Sequence, residues 1–501
     1  MMRRSLLAVT MLAAIGVSVV FASQARAQAL NPVWWGADPT GTNDSAAAIN
    51  KAVAAATLSA PLSTSPGKEI HISFPPGVFK INSQIIVTLT ASLGGIRIDG
   101  AGPLLTTLYF PNATSGLDID LGTDPAASAH VRDLSMVTGQ MGTSNGLALQ
   151  SETSAGPAYV NGLSDITNVD FFGYTGYGQG DFWLNAIVLL GMSNVSLQNI
   201  NIYGGGADCT KMLSPPCGIG IYVQKNNSTL ANVINVSSSD FYYLTNGIDG
   251  VGDVESLTVQ QSSFLGNSIG ILASGSPGAL QWNIGPSNNF TDVFQDIKIT
   301  NEVNDLTVNN NLLLITINGE IGIDIAATAN GGAILQGNYI ACNPGTSSTE
   351  GIYIGASQTS PFTAPSVVNG NVIQSCTTGI LADTNSNLIN IGNNGFSAIT
   401  PPAIINNGIH NVIANNLGYN PIGATAAANV GTSPATVCAG ASPETHYLNQ
   451  SATNTATVTE GSQPIATLAN ASTYYPVNLG PNECYVVTWA TTQPTYTKYV
   501  H

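Results

Sequence analysis

The 501-residue chain carries charge on only 8% of its residues, against roughly a quarter in ordinary globular domains, and holds 53 glycines. An apolar content of 44% suffices for a large core, so wholesale disorder is excluded, as are long charged helices and coiled coils. A surface of Asn, Ser, Thr and Gly suits stacked β-coils, and the length then reads as one repetitive domain with an appendage.

Residues 1–27 open with Arg3 and Arg4, continue as an apolar run over 6–22 and end in Ala25-Arg26-Ala27. That order predicts a cleaved signal peptide of the ordinary secretory kind, hence a secreted or periplasmic protein with no membrane contact after cleavage. Past it, 28 acidic residues face 9 basic ones, a net charge of −19. Such a chain repels nucleic acid and anionic lipid, which both need basic patches, and a polyanionic sugar chain is a poor default substrate. Six cysteines in an exported chain read as disulfides. Fifteen pairings are open, and proximity suggests Cys209 with Cys217, Cys342 with Cys376 and Cys438 with Cys484. Closer Cys or His ligands would be needed for zinc, so no metal site is assigned.

Asn43-Asp44-Ser45 followed by an Ala-rich stretch, with Ile49 and Val53 four residues apart, predicts a capped amphipathic helix within a cap over 28–60. It would close the first coil and shield its strand edges. Beyond it, Gly followed by an apolar residue recurs at Gly220, Gly247, Gly270, Gly322, Gly351, Gly379 and Gly408, at intervals of 27, 23, 52, 29, 28 and 29. The interval of 52 is two turns of 26. A second series falls between: Asn338-Tyr339-Ile340, Asn371-Val372-Ile373, Asn393-Asn394-Gly395-Phe396 and Ile413-Ala414-Asn415-Asn416. Units this small bury an apolar face only by stacking, and repeated Asn at matching turns can hydrogen-bond along the stack. The Leu-rich consensus of leucine-rich repeats is missing, so a parallel β-helix over 61–420 is expected. Cys342 and Cys376 then sit one coil apart, where strands lie about 4.8 Å from each other.

The N-terminal residues also carry a resemblance. Gly36-Ala37-Asp38-Pro39-Thr40-Gly41-Thr42-Asn43-Asp44-Ser45, the following Ala46-Ala47-Ala48-Ile49-Asn50-Lys51-Ala52, then Phe74-Pro75-Pro76-Gly77-Val78-Phe79 and Ile98-Asp99-Gly100-Ala101-Gly102 are similar to the N-terminal signature of the pectate-lyase superfamily. That group includes rhamnogalacturonase-like, epimerase-like and tailspike proteins. The match is close over 37–102, and the coils beyond follow it in style only. It implies a single-stranded right-handed β-helix and leaves the reaction open among hydrolase, lyase, epimerase and non-catalytic binding module. Calcium-dependent lyases of the group use acidic residues for the metal and an arginine as base. Here Arg97 and Arg132 both fall in the first coils, and the Asp-Asp pair and Gly-His-Gly of polygalacturonases occur nowhere. A lyase would still require calcium among the acids, with a Lys or Tyr base.

After an Ala/Gly/Ser/Thr/Pro-rich linker over 421–436, strands at 455–459, 465–468 and 485–489 predict a small β-sandwich-like domain over 437–501. Tailspike-like relatives imply for such a module either a cap and nothing more or a trimer contact, and the second alternative would make the protein a homotrimer. The predicted fold is all-β: a right-handed parallel β-helix with an N-terminal capping helix and this C-terminal domain.

Glycoside hydrolysis needs two carboxyl groups, about 6.5–9.5 Å apart for inversion or about 5–5.5 Å for retention. Residues i and i+2 of a strand lie about 6.8 Å apart, so the scaffold meets either geometry. Among the acids, Asp249, Asp253 and Glu255 lie within the central coils, and Asp253 and Glu255 are spaced i, i+2. Glu255 faces solvent only if a turn falls near Ser256, since Leu257 and Val259 point inward. Glu320 and Asp324 alternate with Ile321, Ile323 and Ile325, which predicts that both point outward. Asp118 and Asp120 alternate as cleanly but sit near the N-terminal end. Acids at turns also serve simply as caps and solubilising groups. Asp253 and Glu255 are the expected acid and base or nucleophile. Aromatic rings stack on sugar faces. In the Gly-rich stretch after Phe171 and Phe172, which are expected to fill the coil, Tyr174, Tyr177 and Trp183 are the expected exposed platforms. The short Cys209–Cys217 loop, holding Lys211, would flank the same groove. The substrate read from all this is a neutral or weakly charged polysaccharide.

Overall fold

The computed structural model describes residues 29–59, 69–89, 94–112, 115–124, 126–151, 162–177, 180–206, 209, 217–227, 229–275, 279–300, 303–326, 332–355, 365–399, 402–408, 411–419, 428–440, 444–450, 455–469, 475–491 and 493–500. The export signal expected over 1–27 and Lys211 lie outside them. Among the described residues no helix is long and apolar enough to cross a membrane.

Strands pair in parallel from Glu69 to Ala414, each with the next coil's equivalent. A 12-stranded sheet forms one side, and a sheet of 24 strands wraps the others. Together they make a right-handed parallel β-helix, the hand that parallel connections adopt. The 24-stranded sheet turns its corner in one residue of left-handed conformation: Asp133, Asn168, Asn199, Ser238, Gln261, Asn310, Asn393 and Asn415 all have φ between 50° and 58°. Asn and Asp tolerate that region because a short polar side chain bonds locally, and Gly337 and Gly370 take the same place at no steric cost.

Directly after the corner comes an apolar residue in the early coils (Leu134, Val169, Ile200) and, from Ser239 onward, a polar one turned inward. Asn288, Asn311, Asn338, Asn371, Asn394 and Asn416 form the expected ladder, each Nδ2 donating to the next Oδ1 at 2.9–3.0 Å. The same Nδ2 also donates to a main-chain carbonyl, as Asn371 does to Leu335 at 2.9 Å. Ser239 and Ser262 continue the row at its start.

Inside, Phe241, Phe264 and Phe290 stack at 4.7 Å between centroids. Glycine is required opposite them: a Cβ on Gly247 or Gly270 would meet the ring of Phe264 or Phe290 at 2.7 Å. Gly220, Gly247, Gly270, Gly322, Gly351 and Gly379 fall at this inward place, as the repeat predicts. Two corrections follow. Gly408 lies past the strand Ile404–Asn406, and Ala403 takes the place instead. The interval of 52 hides a member that is not glycine: Asp296, wholly buried.

The helix Ala46–Ser59 covers the first coil as expected. Asp44 Oδ1 accepts from the Ala46 N–H at 3.1 Å, and Ala48, Ile49, Ala52, Val53 and Ala56 are buried against the core. All three expected disulfides are formed, with Cα separations of 6.0, 4.8 and 4.0 Å. The C-terminal unit is two four-stranded antiparallel sheets around one apolar cluster that includes Val437, Leu448, Val458, Val477 and Tyr485. It begins before residue 437, because Ala428–Asn429 and Ala435–Cys438 are already strands of these sheets.

Candidate functional site

The central acids do not converge. Asp249 stands on the 12-stranded sheet, where Asn246 Nδ2 and Ser274 Oγ donate to it at 3.0 and 3.1 Å. Asp253 lies at the following turn, paired with Lys225 Nζ at 2.6 Å. Glu255 lies beyond the corner on the other sheet. Ser256 does form the turn that releases Glu255 from the parity of Leu257, with φ of 53°. The three acids are thus divided between two faces.

Glu320 corrects a second expectation: it is wholly buried. The strand begins only at Ile321, so alternation does not extend back to it. Its Oε2 instead accepts from the N–H groups of Thr316 and Ile317 at 2.7 and 2.6 Å. Asp324 does stand in the outward column, although its neighbours leave it 4% exposed. Trp183 is a third correction. It is buried to 2%, its Nε1 donating to the Met136 carbonyl at 3.2 Å, which satisfies the one polar atom of the ring. Phe171 fills the coil interior as expected, while Phe172 is only half-buried and packs on Tyr177.

What the fold does bring together is a tyrosine face with two carboxyl groups. Three successive coils carry a polar–apolar–aromatic triplet: Asp170-Phe171-Phe172, Asn201-Ile202-Tyr203 and Asp240-Phe241-Tyr242. The middle residue points inward and is buried, so both flanking side chains point outward. Register places Asp170 beside Asn201, and Asn201 beside Asp240. The two carboxyl groups therefore stand two coil steps apart, about 9–10 Å. Asn201 Nδ2 fills part of the gap, donating to Asp170 Oδ1 at 2.7 Å.

Next to this column the rings of Phe172, Tyr177, Tyr203 and Tyr242 follow one another at 5.1, 4.2 and 4.8 Å. Tyr174 stacks on Tyr109 at 4.5 Å. Tyr174 and Tyr177 are 65% and 48% exposed, as the sequence predicts. Their loop turns on Gly173, where a Cβ would stand 1.9 Å from the Asp181 carbonyl oxygen. Burial lifts the Asp170 carboxyl above the ordinary range, with the Asn201 amide pulling it back. Burial lifts Asp240 likewise, against the Tyr242 hydroxyl. Burial and the neighbouring Tyr242, Tyr177 and acids push Tyr203 up to about 12.

Sequence reasoning passed over Asp170, Asn201 and Asp240. The signal was the triplet itself, obscured because its copies fall 31 and 39 residues apart.

A second polar group lies on the first coils. Asp99 Oδ2 meets His71 Nε2 at 2.8 Å and Arg97 Nε at 2.6 Å. Asp165 meets His130 and takes two bonds of 2.6 Å from Arg132. Burial alone would raise Asp165, but His130 and Arg132 outweigh it and hold the carboxyl well below the usual range. Among the described residues no three His, Cys, Asp or Glu side chains gather closely enough to hold a metal ion.

No protein-family model matches the chain, and no curated protein does. Solved structures similar to it include the A-module of a mannuronan C-5 epimerase from Azotobacter vinelandii, 15% identical over 77% of this chain and 98% of that one, with a TM-score of 0.45. PfbA, a surface adhesin of Streptococcus pneumoniae, is 13% identical over 75% and 91%, with a TM-score of 0.42. The catalytic unit of an α-1,3-glucanase from Streptomyces thermodiastaticus is 13% identical over 78% and 70%, with a TM-score of 0.37.

Proposed function

We propose that this is an exported protein that binds a neutral or weakly charged polysaccharide on its tyrosine face and hydrolyses it. The observation that carries the reading is the pair Asp170 and Asp240, two desolvated carboxyl groups in one outward column beside a run of tyrosines. Their separation of about 9–10 Å suits the inverting mechanism, in which a water stands between base and sugar. Asp170, the more buried of the two and lifted by that burial, would be the group that gives its proton to the leaving oxygen. Asp240 would take a proton from the attacking water. Tyr177, Tyr203 and Tyr242 would stack on sugar rings to either side.

New reducing ends released from a panel of polysaccharides test this, with ultraviolet absorbance read on the same samples. Ends without absorbance are expected, and Asp170→Asn or Asp240→Asn should lower their release by roughly 10²-fold or more. Full activity in both variants, or no ends from any polysaccharide, would overturn it.

One observation favours a second reading, a polysaccharide lyase or epimerase: both arginines beyond residue 27 lie beside histidines on the first coils. Calcium would then be expected as cofactor, and ultraviolet-absorbing ends that vanish with a chelator would decide for the lyase.

A further inference from the structure

The outer face of the 12-stranded sheet carries another polar group, which the tyrosine face does not use. Register stacks Lys298, Asp324 and Tyr353 on three successive coils. A second column brings Gln295, Ile321 and Glu350. The columns touch across the inward-turned place between them: Lys298 Nζ donates to Gln295 Oε1 at 2.9 Å. Gln295 Nε2 passes a bond on to Asp324 Oδ2 at 3.1 Å, and the Tyr353 hydroxyl donates to Asp383 Oδ2 at 2.9 Å.

These bonds occupy the Gln295 amide and the Tyr353 hydroxyl and leave acceptors over. Asp324 is 4% exposed, yet its Oδ1 has no hydrogen-bond partner. The Glu350 Oε2 on the next coil is also buried and without one. A buried acceptor lacking its donor has lost its hydration without compensation, which a ligand bringing donors would restore. Lys298 stands against Asp324, Glu350 and Asp383, so the group is net negative and disfavours an anion. The ligand that fits is a compact cation with several N–H donors.

We propose that Asp324 and Glu350 form a binding site for a protonated amino sugar, whose ammonium is seated between Asp324 Oδ1 and Glu350 Oε2. The ammonium follows from the orphaned acceptors and the charge. That a sugar carries it rests on the polysaccharide reading above. Burial raises both carboxyl groups above their ordinary values, and the adjacent cation would bring them down again.

Titration calorimetry on the full chain tests this with three probes: a glucosamine trimer, its N-acetylated counterpart and a simple diamine. The glucosamine trimer should bind, the acetylated trimer should not, and the diamine should bind at least roughly tenfold more weakly. Asp324→Asn and Glu350→Gln should each weaken the trimer roughly tenfold, with melting temperatures checked to show that the coils remain folded. Tyr203→Ala, which opens the tyrosine face, should leave this binding unchanged and so separates the two sites. Equal binding of both trimers, no binding of either, or indifference to both acid substitutions would overturn the site. A diamine as tight as the trimer would overturn the sugar.

Discussion

Asp296 and Glu320 act on each other inside the β-helix, where each raises the energy of the other's charge. Both are wholly buried, and no donor reaches either carboxyl oxygen of Asp296. Room for that side chain exists because the stack of phenylalanines stops at Phe290, whose register partner on the next coil is Leu313.

Stability should therefore fall as pH rises. Burial and Glu320 raise Asp296, and burial raises Glu320 to about 8 despite two main-chain bonds that favour its charge. In the unfolded chain both ionise at ordinary values of about 4, so the decline sets in there, and the part due to Glu320 is complete by about pH 8. Melting temperature measured across this window should decline steadily. Asp296→Gly, which restores the residue of Gly270 and Gly322, should flatten the decline and add roughly 1–3 kcal/mol at the upper end. A flat profile in the parent chain would contradict the account.

The glycine repeat made the coil legible in the sequence because at most coils a side chain such as Phe264 or Phe290 leaves no room for a Cβ at that place. It misled at Gly408, which shares the spacing but not the packing, and it concealed Asp296 inside a double interval. The tyrosine face was less legible. Asp170, Asn201 and Asp240 share a column only after the loops between them are folded away, so their spacing in the chain carries no period. Glu320 was misplaced for a related reason: alternation holds within a strand and stops at its first residue.

Asn371→Ala should destabilise the chain by roughly 3 kcal/mol or more, read as a shift in denaturation midpoint. The substitution strands the Asn338 N–H and one of its two Nδ2 protons and takes the Asn371 amide from Leu335 O and from Asn394 Oδ1, the latter keeping only the main-chain N–H of residue 371. A shift no larger than that of an exposed Asn would show that the ladder is ornamental.

Asp253→Asn should leave turnover unchanged and cost at most about 1 kcal/mol, because its half-exposed pair with Lys225 is a surface ion pair. The comparison with Asp170→Asn in one assay distinguishes the tyrosine face from the central turn.

Cys342 and Cys376 tie neighbouring coils across a loop of 34 residues. Replacing both by serine should lower unfolding free energy by about 3 kcal/mol, measured by denaturant titration.

The asparagine ladder also has a direction. From Asn288 through Asn394 each side-chain amide gives one proton to the asparagine oxygen of the next coil, toward the C-terminal end. Among the bonds from side chain to side chain, removing coils from the front would leave an Oδ1 without its donor, and removing them from the back would leave an N–H without its acceptor. The two ends of the stack are chemically unlike, so a coil spliced in must arrive with the same polarity, and each end calls for its own kind of plug.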